Sequence, residues 1–372
     1  MEDLSGGNVA LLPTTPAVKP ERLHVFARKP RRQRLKQLST STTTRIPWAK
    51  TKDKTWTVPK ANVTASKTAK VRRQSYDAVL DAFRRDGQCQ QYVISPANVE
   101  VSVASIQGTR HYMEDRYVVN EQLFPNASMI AIFDGHNGAW AAEYAASRIG
   151  QLFSSHEVLR RHACAPLLAL EEIYSALRQC FEVLDDEILS WTLQNGKRDG
   201  STALVMLLLQ DVVFVANVGD SRAVLHRHNC ATRRISVDHK PNSAAEKARV
   251  ITAGGKVIFS GCWRVTHPKA TLRLAVTRSL GDHPLKRNLD GAALVSAVPH
   301  VSHFVKMAGD WLVLASDGLW DRVSDGEIAD FCSPRPSSSS SPSSAAAAAS
   351  GLIDLALTRK STDNITVVVA SF

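Results

Sequence analysis

Two apolar runs near the middle of the chain are separated by only two residues, and this spacing restricts the fold more than any other feature. Residues 203–209 and 212–218 read as strands because they are short and rich in Val and Leu, and only Gln210 and Asp211 lie between them. Two residues suffice for an antiparallel hairpin, whereas a parallel crossover needs a dozen or more. The sequence therefore predicts a sheet with antiparallel pairs.

Further strand and helix patterns follow along the rest of the chain. Four more short apolar runs read as strands, most of them bounded by Gly, Asp or Asn: 99–106, 129–133, 311–315 and 365–370. Apolar residues at helical spacing, together with start and stop signals, predict three helices: 139–153, 170–193 and 244–252. Antiparallel strands with long helices between them are typical of α+β layers and not of a Rossmann-like sheet.

The first 75 residues differ in composition from the rest of the chain. Residues 1–73 hold 17 Lys+Arg against 4 Asp+Glu, while residues 74–372 hold 29 against 31. The early segment is also rich in Thr, Ser and Pro and has no sustained helix or strand period. We therefore predict a disordered basic N-terminal arm at 1–75 and one folded domain at 76–372.

The densest basic cluster in this arm runs from Arg28 to Lys36. It is typical of a nuclear-import signal, while an acidic docking partner, a nucleic-acid or anionic-membrane contact, mitochondrial targeting and a solvated tail remain open alternatives. The expected location is the cytoplasm, the nucleus or both. Six scattered cysteines, expected to be reduced thiols, agree with that location. No apolar run approaches the length of a membrane span.

One stretch inside the predicted domain has low complexity. Residues 333–350 read SPRPSSSSSPSSAAAAAS. Such Ser-rich and Pro-rich composition favours a flexible loop. We therefore expect a surface loop over the whole of 333–350.

Several of the predicted strands are each next to an aspartate. Asp134, Asp220 and Asp317 follow strands within one or two residues, and Asp363 precedes the last strand. A carboxylate at the end of a buried strand is costly unless it is paired or bound to a metal. If two sheets pack face to face, these ends converge, and an all-oxygen ligand set suits Mg²⁺, Mn²⁺ or Ca²⁺.

A cation and two carboxylates lie upstream of these strands. Arg110 is followed by Glu114 and Asp115. The arginine fork fits phosphate oxygens in a bidentate manner, and the carboxylates can hold metal-bound waters. A surface salt-bridge cluster is the alternative interpretation of this motif by itself.

Together these motifs closely resemble, in order and spacing over about residues 98–372, the metal-dependent protein phosphatase family, the PPM or type 2C serine/threonine phosphatases. A single DGH would be weak evidence, but eight ordered blocks are specific. The blocks are RHYMED (110–115), FDGHNG (133–138), DGSTAL (199–204), ANVGDSRAV (216–224), DHKP (238–241), AVTRSLGD (275–282), ASDGLWD (315–321) and STDNITVVV (361–369).

The resemblance implies a fold and a set of metal ligands. The fold is a four-layer α-β-β-α sandwich, two antiparallel sheets flanked by helices, with the metal site at one end. Mapped onto this sequence, the family's residues around two Mg²⁺ or Mn²⁺ ions are Asp134 as the bridging ligand, the carbonyl of Gly135, Asp317, Asp363, and Glu114 and Asp115 through water. Some members bind a third, weaker ion, whose ligands map to Asp220, Asp317 and Asp321.

The resemblance also implies a reaction. A water activated by the two ions attacks the phosphorus of phosphoserine or phosphothreonine in a protein substrate. Arg110 is then expected to clamp the phosphate, and His136 is the candidate general acid for the leaving oxygen. A variable flap is expected at 258–269, where it can set substrate preference, and a monomer is the family expectation.

Two other functions are compatible with parts of the sequence. A regulatory binding protein could keep the fold without turnover, but none of the acidic metal positions is substituted. A nucleic-acid-binding protein or nuclease could use the basic arm with the carboxylates, but the slightly acidic body argues against it. Nucleic acid is therefore expected to bind at most weakly, through the arm.

Overall fold

The computed structural model describes residues 76–86, 89–94, 99–164, 167–228, 230–287, 289, 291–332 and 344–372. The predicted N-terminal arm at 1–75, with its basic cluster from Arg28 to Lys36, lies outside the described residues. The described residues all belong to one compact unit that runs from Lys67 to Phe372.

The first sheet has six strands. Their bounds are Gln90–Ile94 (β1), Val99–Ile106 (β2), Arg222–His226 (β9), Arg233–Arg234 (β10), Trp311–Ala315 (β15) and Ile365–Ser371 (β16). Their order in the sheet is β1-β2-β16-β15-β9-β10, and each strand pairs antiparallel with its neighbours. The last strand of the chain therefore lies in the middle of the sheet.

The second sheet has five strands. Their bounds are Arg116–Phe124 (β3), Ala127–Phe133 (β4), Ala203–Leu209 (β7), Val212–Val218 (β8) and His300–Val305 (β14). Their order is β14-β8-β7-β4-β3, again antiparallel throughout. The predicted hairpin is confirmed, since Leu209 pairs with Val212 across the two-residue turn.

The described residues form seven helices, several of which cover the outer faces of the two sheets. Their bounds are Tyr76–Asp86 (α1), Trp140–Ser155 (α2), Glu157–Ala163 (α3), Leu170–Gln194 (α4), Ala244–Thr252 (α5), Asp317–Trp320 (α6) and Ser344–Thr358 (α7). Short 3₁₀ turns follow at His283–Leu285 and Asp325–Asp330. None of the helices in the described part of the chain is both long and apolar enough to cross a membrane.

Three apolar cores hold the layers together. In β4, Met129, Ala131 and Phe133 pack against α2 and α4, while Ile130 and Ile132 pack against the first sheet. This alternation is the two-residue period of a strand buried on both faces. A third core lies between the first sheet and α7, and Val79 of α1 contributes to it. The layers are therefore α-β-β-α, and the predicted α+β sandwich is confirmed.

The predicted loop at 333–350 is wrong for its second half. Residues 344–350 form the start of α7, and Ala345, Ala346, Ala348 and Ala349 are buried. Alanine has the highest helix propensity, and its small side chain lets the helix lie close to β2 and β16. This low-complexity sequence forms a core helix because it packs against the first sheet, although its periodicity does not predict a helix. Residues 333–343 lie outside the described residues.

Two small sheets complete the architecture. Gly135–His136 (β5), Gly200–Ser201 (β6) and Leu280–Gly281 (β13) pair antiparallel in the order β13-β6-β5. Lys256–Ser260 (β11) and Cys262–Thr266 (β12) form a separate hairpin. The first of these sheets fixes the end of β4, where the candidate site begins.

Candidate active site

Asp134 lies where β4 leaves the second sheet. Its backbone N–H donates to the Thr202 hydroxyl at 3.1 Å, and its carbonyl accepts from the Thr202 N–H at 2.9 Å. The next residue, Gly135, packs so closely that a Cβ there would lie 2.7 Å from the Glu114 carbonyl oxygen. Glycine at this position therefore permits the close approach of the β4 end to the segment that carries Glu114.

Asp317 and Asp363 come from two neighbouring strands of the first sheet. β15 ends at Ala315 and β16 begins at Ile365, and Ala315 pairs with Val367. Because the two strands are antiparallel, the end of one and the start of the other lie at the same edge. This edge of the first sheet meets the β4 end of the second, as the sequence predicts.

Asp115 is the most deeply placed acid of the Arg110–Asp115 segment. Asp115 is 3% exposed, and one of its carboxylate oxygens accepts a hydrogen bond from the Ser316 hydroxyl at 2.8 Å. The other oxygen, Oδ1, is buried and has no hydrogen-bond partner among the described residues. Burial raises the pKa of Asp115 to about 6, although the nearby Thr366 and Ser316 hydroxyls lower it, and the charge of Asp363 raises it further.

The charges of these carboxylates act on one another. Burial raises the pKa of Asp134 well above its ordinary value, and the charges of Asp115, Asp317, Asp220 and Asp363 raise it further. Burial likewise raises the pKa of Asp317, with Asp220, Asp363 and Asp321 as the acidic neighbours and Lys240 as the opposing cation. The mutual repulsion of such crowded carboxylates is relieved when a multivalent cation neutralises them.

The donor set fits the divalent ions that the resemblance implies. The candidate ligand atoms are all oxygens, with no thiolate among them. The buried Oδ1 of Asp115 has no hydrogen-bond partner among the described residues, and a bound cation would provide one positive neighbour for it. No three Asp, Glu, His or Cys side chains within the described ranges form a preassembled metal cluster. The carboxylates thus surround a common region without closing around one point.

Glu114 is held by its backbone and by its side chain. Its N–H donates to the Asn364 side-chain oxygen at 2.8 Å, and its carboxylate accepts from the Gly138 N–H at 2.8 Å. Asn364 also donates to the carbonyls of Gln107 at 2.8 Å and Tyr112 at 3.0 Å. One buried amide therefore fixes the segment that carries Arg110, Glu114 and Asp115. Asn364 is not among the predicted site residues, although it belongs to the STDNITVVV block that contains Asp363.

Arg110 lies at the exposed side of the carboxylates. Its Nη2 donates to the Asp363 carboxylate at 2.5 Å, and its side chain is 54% exposed. The guanidinium is thus anchored at one nitrogen while most of its surface faces solvent. A phosphate arriving from solvent meets this cation before it reaches the carboxylates.

His136 is paired with an acid that the sequence analysis did not select. Its Nε2 lies 2.7 Å from the Asp282 carboxylate, which is fully buried and also accepts from the Ser279 hydroxyl at 2.5 Å. Burial by itself would lower the pKa of His136, but the charge and hydrogen bond of Asp282 raise it above its ordinary value. The pair therefore favours the protonated imidazole. Asp282 is the last residue of the AVTRSLGD block, so this block contained the sequence signal for it.

A lysine lies between the two extra acids of the predicted third site. The Lys240 ammonium is 3.3 Å from Asp220 and 3.5 Å from Asp321. Burial would lower the pKa of Lys240, but the charges of Asp220, Asp321 and Asp317 raise it. The Lys240 ammonium thus lies between two of the acids that the resemblance assigns to a third ion.

Comparisons with known proteins identify relatives of this chain and of its fold. The family model described as Protein phosphatase 2C matches residues 99–365. The chain is similar to Protein phosphatase 1L of Bos taurus, with 36% identity over 276 residues that cover 73% of this chain and 72% of that protein. It is also 36% identical over 272 residues to Probable protein phosphatase 2C 59 of Arabidopsis thaliana, covering 72% of this chain and 78% of the relative. Among solved structures, a serine-threonine phosphatase 2C from Toxoplasma gondii has the same fold, with a TM-score of 0.65 at 21% identity over 77% of this chain and 99% of that one.

Proposed function

The chain belongs to the protein phosphatase 2C family, and on that premise we propose that its strand-end carboxylates hold two Mg²⁺ or Mn²⁺ ions for the hydrolysis of phosphoserine and phosphothreonine in proteins. The chain is a serine/threonine protein phosphatase, and metal dependence is a property of its family. The identity of the ions, their number and the role of each residue are the parts that we propose.

The proposed ligands are those that the family resemblance implies, and the convergence of the strand ends supports them. Asp134, the Gly135 carbonyl, Asp317 and Asp363 would hold the ions directly. Glu114 and Asp115, which lie on the segment that Asn364 fixes, would hold them through water, as the resemblance implies. When bound, divalent ions supply Lewis acidity toward water and toward phosphoryl oxygens.

Two further side chains would act on the phosphate ester itself. Arg110 would bind phosphoryl oxygens with the guanidinium N–H groups that face solvent. His136 would donate its proton to the leaving oxygen of serine or threonine, because Asp282 favours its protonated form. No nucleophilic side chain is needed for this reaction, and none of these roles requires a covalent phosphoenzyme.

A single observation carries the proposal. Acids from both sheets raise one another's pKa at the edge where Arg110 lies. Structural ion pairs normally balance their charges, whereas here six aspartates among the described residues are opposed by only three cations, Arg110, Arg116 and Lys240. Such an imbalance is typical of a site built for an added cation.

The proposal is tested by assaying the full chain on a phosphothreonine peptide with EDTA, Mg²⁺ or Mn²⁺. Hydrolysis should require the metal, and Arg110→Ala should lower kcat/KM about 10- to 100-fold, mostly through KM, because a bidentate phosphate contact is lost. Arg322→Ala is a matched control, since Arg322 is also exposed and its guanidinium is not assigned to the phosphate. A folded wild type that releases no phosphate with any divalent ion would leave the binding-protein alternative instead.

Replacement of Lys240 tests the third ion separately. Lys240→Met should raise the affinity for a third Mg²⁺ about tenfold, because the ammonium no longer neutralises Asp220 and Asp321. Isothermal titration calorimetry of the metal-free chain measures the stoichiometry and affinity without any assay of turnover. Lys306→Met is the control, since Lys306 also pairs with an aspartate, Asp211, at 3.1 Å but beside the hairpin turn. Unchanged weak binding in Lys240→Met would show that the lysine does not compete.

A further inference from the structure

The hairpin of β11 and β12 exposes two aromatic side chains. On one face, Val257 and Val265 pair in register and pack in a small core with α5. The next pair outward on the same face is Phe259 and Trp263, whose rings meet edge to face at 5.5 Å. Phe259 is 66% exposed and Trp263 is 40% exposed. A large apolar pair at this distance from the core adds little to folding and is typical of a contact surface.

The same region is strongly cationic. Residues 247–281 contain seven Lys+Arg and no Asp or Glu, although residues 74–372 together carry slightly more acidic than basic residues. Glu246, just outside this range, bonds Arg249 and Arg278. Four other basic residues of this stretch lie on the hairpin or beside it: Lys247, Lys256, Arg264 and Arg273. Lys247 lies over the Trp263 ring at 5.8 Å, so that cation and aromatic surface are contiguous.

The base of the hairpin is connected to the rim of the active site. Val265 and Leu274 exchange two backbone hydrogen bonds, of 2.8 and 3.2 Å. Three residues further on, Thr277 bonds the His239 carbonyl through its N–H and its hydroxyl, at 2.8 and 3.0 Å. The residue after His239 is Lys240, which pairs with Asp220 and Asp321. Three residues of extended chain span about 10 Å, which is within reach of a bound peptide.

We infer that this cationic hairpin surface (256–266 with Lys247 and Arg273) binds an acidic segment of the substrate protein next to the phosphorylated residue. The inference rests on the proposed function and adds the class of substrate. Acidic side chains complement the four basic groups of this surface, and an apolar side chain of the same segment would cover Phe259 and Trp263. The acid nearest to this surface in sequence, Glu246, is already engaged by Arg249 and Arg278, so it offers little counter-charge to a basic segment.

The test compares three phosphothreonine peptides of equal length whose flanking residues are glutamates, serines or lysines. The full chain should show a kcat/KM about tenfold higher for the acidic than for the basic peptide at low salt, mostly through KM, and the ratio should shrink as salt screens the charges. The double variant Lys256→Glu with Arg273→Glu should bring the ratio near one or invert it. A ratio measured within one protein does not depend on how much of the preparation is folded.

A matched variant and a binding assay separate the outcomes. Arg85→Glu with Arg160→Glu reverses two exposed charges on α1 and α3 and should keep the wild-type ratio. Fluorescence anisotropy of the labelled peptides on the metal-free chain measures the same preference without turnover. If the peptides bind with the expected preference but are not hydrolysed, the proposed function is overturned and this inference stands. A wild type with no preference, or a preference that survives the reversal at 256 and 273, would overturn this inference.

Discussion

Replacing Asp317 by asparagine is expected to lower kcat/KM at least about 10³-fold and, in the metal-free protein, to raise the Tm. The loss of activity follows because Asp317 is one of the proposed direct ligands and Asn binds divalent ions far less well than a carboxylate. The gain in stability follows because the variant removes one negative charge from a set that repel one another. The two effects have opposite signs, which distinguishes a metal site from a structural ion pair.

The pH dependence of the metal-free protein provides a second readout of the same charges. Burial and neighbouring acids hold the pKa of Asp317 and Asp134 in the folded protein above the ordinary value of 3.8. As pH rises past that value, the unfolded chain releases its protons first, so the fold loses stability from about pH 4 up through the raised pKa. The Tm difference between Asp317→Asn and wild type should therefore be small near pH 4 and grow toward pH 8.

The measurement is thermal unfolding with EDTA and with Mg²⁺ or Mn²⁺. With EDTA at pH 8, the variant should melt roughly 2–4 °C above wild type, which is what about one kcal/mol gives a chain of this size. With metal, the order should reverse, since only the wild type gains the full binding free energy. Asp186→Asn removes an exposed acid paired with Arg287 and should change neither order. A lower Tm of Asp317→Asn in EDTA would contradict the idea of a repulsive cluster.

The sequence predicts the framework well where periodic patterns are long. The strands 99–106, 203–209, 212–218 and 311–315 match the structure at both ends, because apolar residues dominate buried strands of a sandwich and the pattern changes where each strand ends. The aspartates at their ends could be predicted to converge for the same reason. By contrast, the two-residue strands β5, β6 and β13 have no periodic signal, although they fix the end of β4.

Side chains whose role depends on distant partners could not be predicted from local patterns. Asp282 is 146 residues from His136, and its carboxylate became a partner only through the small sheet that brings β13 beside β6 and β5. Lys240 likewise reads as one more charge in a polar stretch until the fold places it between Asp220 and Asp321. The alanine run of α7 was misread for the related reason that its neighbour sheet, and not its own pattern, makes it a core helix.

Replacement of Asn364 is expected to have the second large effect, because its side chain positions the segment that carries the catalytic groups. Its side chain makes three hydrogen bonds to backbone groups of Gln107, Tyr112 and Glu114, and the residue is only 6% exposed. Asn364→Ala leaves one N–H and two carbonyls without these partners, which should cost about 2–4 kcal/mol of unfolding free energy. The folded fraction should also lose about 10²-fold in kcat/KM, since Arg110, Glu114 and Asp115 lie on the released segment and small displacements of such groups are costly.

Asn364→Asp separates the two donated bonds from the accepted one. The aspartate can still accept from the Glu114 N–H, but it cannot donate to the carbonyls of Gln107 and Tyr112, and it adds an acid beside Asp363. Its stability in EDTA should therefore fall at least as far as that of Asn364→Ala and should recover partly with Mg²⁺ or Mn²⁺, whereas the alanine variant gains nothing comparable. Urea unfolding with and without metal measures both. Equal stability of wild type and Asn364→Ala would mean that the segment is held by Gly108 and Thr109, which pack against 362–363, and that the amide does not position the catalytic groups.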